Sequence, residues 1–422
     1  MSTSFPINRR SFLLAGAAAA GGFVLAPYVS LAQTRGAGRF VFIILRGALD
    51  GLSAVPPYGD PDYARLRREL ALGPPGSSGG CLRLDDTFGL HPSLGFLHES
   101  YRAGELAVIH AAATAYRERS HSDGQDVLEN GLTQPHALQT GWLNRALASL
   151  AATGSASVKE SGVALGQNVP LLMRGPAAVV SWSPSRLVAL DDTRQGITDR
   201  YASDPVLSHR LADALASNAI ANGWEAADNE TAAMAAGPGN TGAGTAAARA
   251  ASRYVEVVRA TAGFLRAANG PRVAVFDTTG WDTHANEGNA QGQLAARLAA
   301  LDAALKNLKD ELGPAWRDTA IMIATEFGRT AATNGTRGTD HGTGSAAFLL
   351  GGAVQGRRVI ADWPGLSVPA LYQGRDLRPT IDLRSIMKGV LADQLRVPGR
   401  VLESDVFPGS AAARGMQDLI RV

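Results

Sequence analysis

Five short runs of this chain are almost wholly apolar: residues 40–45, 106–112, 272–276, 319–325 and 346–350. Each is rich in Val, Ile, Phe or Leu and none alternates with polar residues, so each predicts a strand covered on both faces, as in a parallel sheet. Helical patterns separate them. Over 291–312, Leu294, Leu298, Leu301, Leu305, Leu308 and Leu312 recur at spacings of 4, 3, 4, 3 and 4. That is one apolar stripe along about six turns, ending at Gly313-Pro314. Further helices are expected over 138–151, 204–220, 247–267 and 383–395. Strand–helix alternation of this kind predicts an α/β fold, a central mostly parallel sheet sandwiched by helices. Residues 226–245 are nearly all Ala, Gly, Asn, Thr and Pro, with little to bury, and read as a low-complexity surface loop.

The amino terminus reads as an address. Arg9-Arg10 precedes a moderately apolar, Ala/Gly-rich stretch that runs to Pro27, and Ser30-Leu31-Ala32 gives a small-residue cleavage pattern. Paired arginines in this setting are the twin-arginine export signature. The expectation is a signal peptide over 1–32, the twin-arginine translocase as export partner, and a periplasmic or secreted mature chain. Residues 33–422 would then form a single domain. The stretch is too short for a comfortable membrane span, which needs about 20 apolar residues. The mature chain is expected to hold no membrane span.

Charge and cysteine content narrow the class. The full chain has 40 Lys+Arg and 38 Asp+Glu. Both surplus charges are Arg9 and Arg10, so residues 33–422 balance at 38 of each. That disfavours a nucleic-acid partner. The single Cys81 excludes an internal disulfide framework and any multi-cysteine metal site.

Ligands of open α/β sheets bind beyond the carboxyl ends of the strands, and polar residues gather there in this sequence. Arg46 and Asp50 follow the first apolar run, and Ser120-His121 the second. Asp282-Thr283-His284 follows the third, and Glu326, Arg329 and Asp340-His341 follow the fourth. Three of the eight histidines thus lie beside carboxylates at expected strand ends. Asp282 and His284 are two apart, so an extended backbone would aim both to one side. Glu326 is the first acid after a buried strand, and Gly338 and Gly342 flank Asp340-His341, letting the backbone bend. Oxygen and imidazole donors without thiolate predict a divalent metal site for zinc, manganese or iron, or for calcium or magnesium if oxygens dominate.

Four motifs in order, Arg46-Gly47-Ala48-Leu49-Asp50-Gly51-Leu52, Gly280-Trp281-Asp282-Thr283-His284, Thr325-Glu326-Phe327-Gly328-Arg329-Thr330 and Gly338-Thr339-Asp340-His341-Gly342, resemble a family of twin-arginine-exported bacterial proteins carrying a domain of unknown function. That family is grouped with the alkaline phosphatase and sulfatase superfamily. The resemblance spans the mature chain and implies an alkaline-phosphatase-like fold with one or two metal ions at the strand ends. It also implies a nucleophile at a helix start, acting on a phosphate or sulfate ester. By order along the chain it implies Asp50, Asp282, His284, Glu326 and His341 as metal ligands, with Ser120 as nucleophile and His121 as ligand or general acid. Arg329 and Arg46 would hold the anionic oxygens, and Ser122 or a metal-bound hydroxide are rival nucleophiles.

The departures from the superfamily pattern are specific. Arg46 stands where the first acid follows the strand, Phe327 stands where a histidine follows Glu326, and the Asp282/His284 spacing is short. They point to a one-metal or altered centre. Cys81 is followed by Leu82-Arg83-Leu84-Asp85, not by the context a formylglycine sulfatase needs. The expected function is an exported metal-dependent hydrolase of phosphate or sulfate esters, with an anionic ester substrate or an envelope component as partner. The alternative is a non-catalytic periplasmic binding or scaffold protein that keeps the fold. No Gly-x-Ser-x-Gly elbow supports a serine-triad hydrolase.

Overall fold

The computed structural model describes residues 38–152, 162–166, 168–183, 246–268 and 270–421. The expected signal peptide, the helix expected over 204–220 and the loop expected over 226–245 lie outside the described residues.

All five apolar runs are strands. They form β1 (Arg39–Arg46), β4 (Leu106–Ala113), β7 (Val273–Thr279), β8 (Thr319–Ala324) and β9 (Ser345–Leu350). Shorter segments complete the main sheet: β5 (Gly162–Leu165), β6 (Val179–Trp182), β10 (Arg358–Ile360) and β11 (Ile381–Asp382). The order is β10-β4-β9-β8-β1-β7-β5-β6, with β11 also paired to β4. β1 is central and pairs in parallel with β7 (Phe40 opposite Val273) and with β8 (Phe40 opposite Ala320). Among the described strands of this sheet, β9 alone runs the other way, antiparallel to both β4 and β8. The sheet is therefore mixed and mostly parallel. A separate small hairpin joins β2 (Leu82–Arg83) to β3 (Gly89–Leu90).

Side chains alternate along β1 into two cores. Val41, Ile43 and Leu45 pack on one face with Leu294, Leu298, Leu301, Leu305, Leu308 and Leu312. Those leucines belong to the helix Gln293–Leu312, so the sequence stripe is what docks it. Phe40, Phe42 and Ile44 pack on the other face with Trp142, Ile386, Met387, Val390 and Leu391. Phe42 meets Trp142 edge-on, with centroids 5.3 Å apart, a geometry worth about 0.5–1.5 kcal/mol beyond area burial. The helix Leu383–Leu395 has the expected bounds, and Ala246–Arg266 differs from expectation by one residue at each end. The helix expected from 138 begins instead at Trp142. The chain first passes Gly141, whose missing Cβ would lie 2.2 Å from the Leu172 carbonyl oxygen.

β1, β4, β7 and β8 share one direction, so their carboxyl ends open at a single edge. The candidate site lies at that edge.

Candidate metal centre

The loops beyond β1 and β8 are fastened to each other first. Thr325 Oγ1 donates to the Leu45 carbonyl at 2.7 Å and accepts from the Leu49 amide at 3.1 Å. Glu326, fully buried, accepts from the Gly47 amide at 2.8 Å, and its Oε2 lies 2.9 Å from Thr325 Oγ1. Gly47 has φ +121°, and a Cβ there would sit 2.8 Å from the Asp282 amide nitrogen. Only glycine permits that approach of the β1 and β7 loops.

Arg329, also fully buried, forms the hub beneath the site. Its guanidinium donates to the carbonyls of Ala48 (2.8 Å), Gly47 (3.1 Å), Thr339 (3.2 Å) and Trp281 (3.3 Å), and it pairs with the Asp282 carboxylate. Planar donors in a fixed fork suit that task. Asp282 itself is turned by a tight bend in which the Thr283 amide donates to the Trp281 carbonyl at 3.0 Å. The extended spacing expected for Asp282 and His284 is therefore replaced by an i→i+2 turn. The two side chains nevertheless meet, with His284 Nε2 3.0 Å from Asp282 Oδ1.

His341 is carried by a short antiparallel pairing of 328–330 with 340–343. The Gly328 amide donates to Thr343, the Gly342 amide to Gly328 and the Thr330 amide to Asp340, all at 2.8–2.9 Å. A Cβ on Gly342 would lie 2.3 Å from Arg329 backbone atoms.

At the edge these elements bring three ligating groups together. His121 Nε2 lies 2.9 Å from His341 Nε2, His341 Nε2 lies 3.3 Å from Asp282 Oδ1, and His121 Nε2 lies 3.5 Å from Asp282 Oδ2. Four-coordinate zinc with bonds of about 2.0–2.1 Å separates its donors by roughly 3.3–3.4 Å. His121, Asp282 and His341 thus form a group that could hold a divalent metal. His284 borders the trio, its Nε2 3.0 Å from His341 Nε2.

The chemistry of the donor set fits a cation. His121 Nδ1 faces Glu326 Oε1 at 2.8 Å, and His341 Nδ1 faces the Arg119 carbonyl at 3.0 Å. A carboxylate and a carbonyl only accept, so both Nδ1 atoms carry the hydrogen, and the Nε2 lone pairs are the ones available inward. His284 Nδ1 has Asp340 Oδ1 3.5 Å behind it. Imidazole ligands oriented by outer carboxylates and carbonyls are the usual support of metal sites.

Electrostatics follow from these contacts. The bond to Glu326 raises the His121 pKa above the ordinary imidazole value, against the opposing effect of burial. Burial, with the nearby charges of His121 and Arg329, lowers that of His341. Burial works against charge on Asp282 and on Glu326. Arg329, with the neighbouring imidazoles, outweighs it for Asp282, and the bonds from His121, Gln125 and the Gly47 amide together outweigh it for Glu326, so both carboxyls lie below their usual range.

The remaining expected site residues are placed as follows. Glu326 stands behind His121, orienting the ring from the loop side. Ser120 is the N-cap of the helix His121–Asn130, yet its side chain makes no capping bond, and its Oγ lies 3.1 Å from Ser122 Oγ. Arg46 is engaged by Glu129 at 2.8 Å and Asp277 at 2.5 Å. Asp50 is not brought to the trio. It caps the short helix Gly51–Ala54, accepts from the Leu52 and Ser53 amides, and pairs with the buried Arg67. The first motif after β1 turns inward here because a helix start and a guanidinium satisfy its acid below the surface.

Sequence reasoning missed Glu287, Arg67 and the Arg119 carbonyl. Arg119 takes φ +61°, uncommon for a side-chain-bearing residue, and pairs with the fully buried Asp376 at 2.7 Å. No local pattern announces that arrangement.

Comparison with curated proteins found no match. Among solved structures, the chain is similar to the lipoteichoic acid synthase LtaP from Listeria monocytogenes, at 8% identity and a TM-score of 0.34 over 79% of this chain and 68% of that one. It is also similar to Ps i-CgsB, solved in complex with k-i-k-neocarrahexaose, at 10% identity and a TM-score of 0.32 over 74% of this chain and 65% of that one. At scores this low neither likeness bears on substrate or reaction. The family model described as "Protein of unknown function (DUF1501)" matches residues 37–406, and the chain belongs to that family.

Proposed function

We propose that this protein is an exported, metal-dependent hydrolase of phosphate or sulfate esters. The observation that supports it is the convergence of His121, Asp282 and His341, with both imidazoles presenting their lone pairs to one point. Three protein ligands leave a fourth position open, the usual difference between a catalytic and a closed structural zinc site. A divalent cation held there would polarise an ester oxygen and stabilise the charge developing on it. Ser120 serves as nucleophile: its hydroxyl is released from capping and sits at the amino end of a ten-residue helix, where the dipole favours an anion. His284, its side chain 45% exposed, borders the trio with its Nε2 3.0 Å from His341 Nε2. The pair Arg9-Arg10 supports export to the periplasm or beyond through the twin-arginine translocase. Among the described residues, no helix is long and apolar enough to cross a membrane.

A second reading, a non-catalytic binding or scaffold protein of the envelope, is favoured by one observation. Arg46 and Arg329 are each engaged by carboxylates, which occupies the two guanidiniums expected to hold an anionic ester. Elemental analysis of natively exported protein separates the readings, followed by assay on p-nitrophenyl phosphate and p-nitrophenyl sulfate with and without chelator. About one tightly held metal per chain with chelator-sensitive hydrolysis is expected. A metal-free, inactive protein would leave the scaffold reading.

A further inference from the structure

Below the candidate metal centre lies a second polar cluster that the proposed reaction does not use. Asp50, Ser53, Arg67, Glu287, Thr283 and Thr339 are each at most 2% exposed. Glu287 Oε2 accepts from Thr283 Oγ1 at 2.8 Å and from Thr339 Oγ1 at 3.1 Å. Its Oε1 accepts from Ser53 Oγ at 3.0 Å and lies 3.7 Å from Arg67 Nη2. Thr283 is the residue between Asp282 and His284, and Thr339 is two residues before His341. One carboxyl oxygen therefore ties together the two loops that carry Asp282, His284 and His341. The loops also touch directly, the Thr339 amide donating to the Thr283 carbonyl at 3.2 Å.

We propose that Glu287 is a positioning residue of the metal centre, clamping Thr283 and Thr339 so that Asp282 and His341 are held at ligating separation. This rests on the metal-dependent reading above. The clamp is an uncharged one. Burial, reinforced by the neighbouring Asp50, pushes the Glu287 carboxyl up to about 8, so at neutral pH it carries a hydrogen. A protonated acid can accept from the two threonines on Oε2 while its hydrogen goes to the neighbouring Asp50 carboxylate, and a glutamine, with one accepting oxygen and a donating amide, keeps both roles. Arg67 is left to balance Asp50.

The test uses the full exported chain, with zinc affinity read by competition against a chromophoric chelator and thermal stability measured on the metal-free form. Thr283→Val and Thr339→Val remove one hydroxyl each at nearly constant volume. Each should weaken zinc about 10–100-fold, the range for lost outer-shell partners. Glu287→Ala should do the same or more, and Glu287→Gln should stay within about threefold of the parent. Lowered melting temperatures with unchanged zinc affinity in both threonine variants would overturn the proposal and leave Glu287 a core residue only. If the parent chain binds no zinc, the metal-centre reading fails on its own. Positioning is then judged from the imidazole resonances of His284 and His341 in metal-free protein. Shifts in Thr283→Val and Thr339→Val that are absent in Glu287→Gln support it, and spectra identical to the parent overturn it.

Discussion

His341 Nδ1 donates to the carbonyl of Arg119 at 3.0 Å. That single bond, made to a residue 222 positions away in the chain, leaves Nε2 as the lone pair His341 can offer, and Nε2 faces His121, His284 and Asp282 together. The imidazole is thus committed to one tautomer before any ligand arrives.

Removing a ligating group should empty the site. His341→Ala and Asp282→Ala are expected to reduce bound metal to background and hydrolysis with it, as measured by elemental analysis and ester turnover on the same preparations. Full metal occupancy in either variant would place the cation elsewhere.

Glu326→Gln tests orientation separately from ligation. The charge behind His121 is lost while the side-chain shape is kept, so metal affinity should fall by about 10–100-fold rather than vanish. A chelator competition titration distinguishes those outcomes. An effect as large as that of His341→Ala would make Glu326 a ligand.

Metal binding should weaken as pH falls. The bond to Glu326 holds the His121 pKa above its ordinary value, against burial, and as pH falls a proton on Nε2 competes with the cation for the lone pair. Loss of affinity should therefore set in above pH 6.5, the unperturbed imidazole value being about 6.5. In the metal-free protein the sign is opposite. A raised pKa contributes stability that is complete below the unfolded-state value and lost as pH rises through the folded-state one. Chelator titrations and denaturant melts between pH 5 and 9 should show the two trends crossing.

Arg329→Ala should cost stability as well as geometry. The carbonyls of Ala48, Gly47 and Thr339 lose the guanidinium, as does Asp282, while the Trp281 carbonyl keeps the Thr283 amide, and stranded buried carbonyls cost on the order of 3 kcal/mol. Urea unfolding of the metal-free variant measures it. A change within error of zero would mean that water replaces the guanidinium without loss.

Gly342→Ala probes the close pairing that carries His341. The added methyl would meet Arg329 backbone at 2.3 Å, and overpacking against the main chain costs about 1–3 kcal/mol. Weaker metal binding should accompany the lower melting point, because the shift acts on the residue next to His341.

Local pattern carried much of the architecture. The five apolar runs became β1, β4, β7, β8 and β9, and the leucine stripe became the docked face of Gln293–Leu312, because burial on both faces of a strand and on one face of a helix leaves a mark in neighbouring residues. The direction of β9 was not legible, since an apolar run reads alike either way. Strands of two to four residues, such as Gly162–Leu165, are too short to leave a period. Strand-end chemistry drew attention to His121, Asp282, His284 and His341, and these do meet. Asp50 and Glu326 illustrate the limit. Both are acids at strand ends, yet one is captured by Arg67 and the other stands behind His121.

What the sequence by itself determined is the layering of the sheet and helices and the edge at which polar groups gather, for both follow from periodicity and chain order. What only the tertiary structure decided is which donor faces which. The His341 tautomer depends on Arg119, the Asp282 orientation on Arg329, and the spacing of their loops on Glu287. Each is a contact between residues distant in sequence or turned by a tight bend, and its energy depends on angles and separations of a few tenths of an ångström that no spacing along the chain encodes.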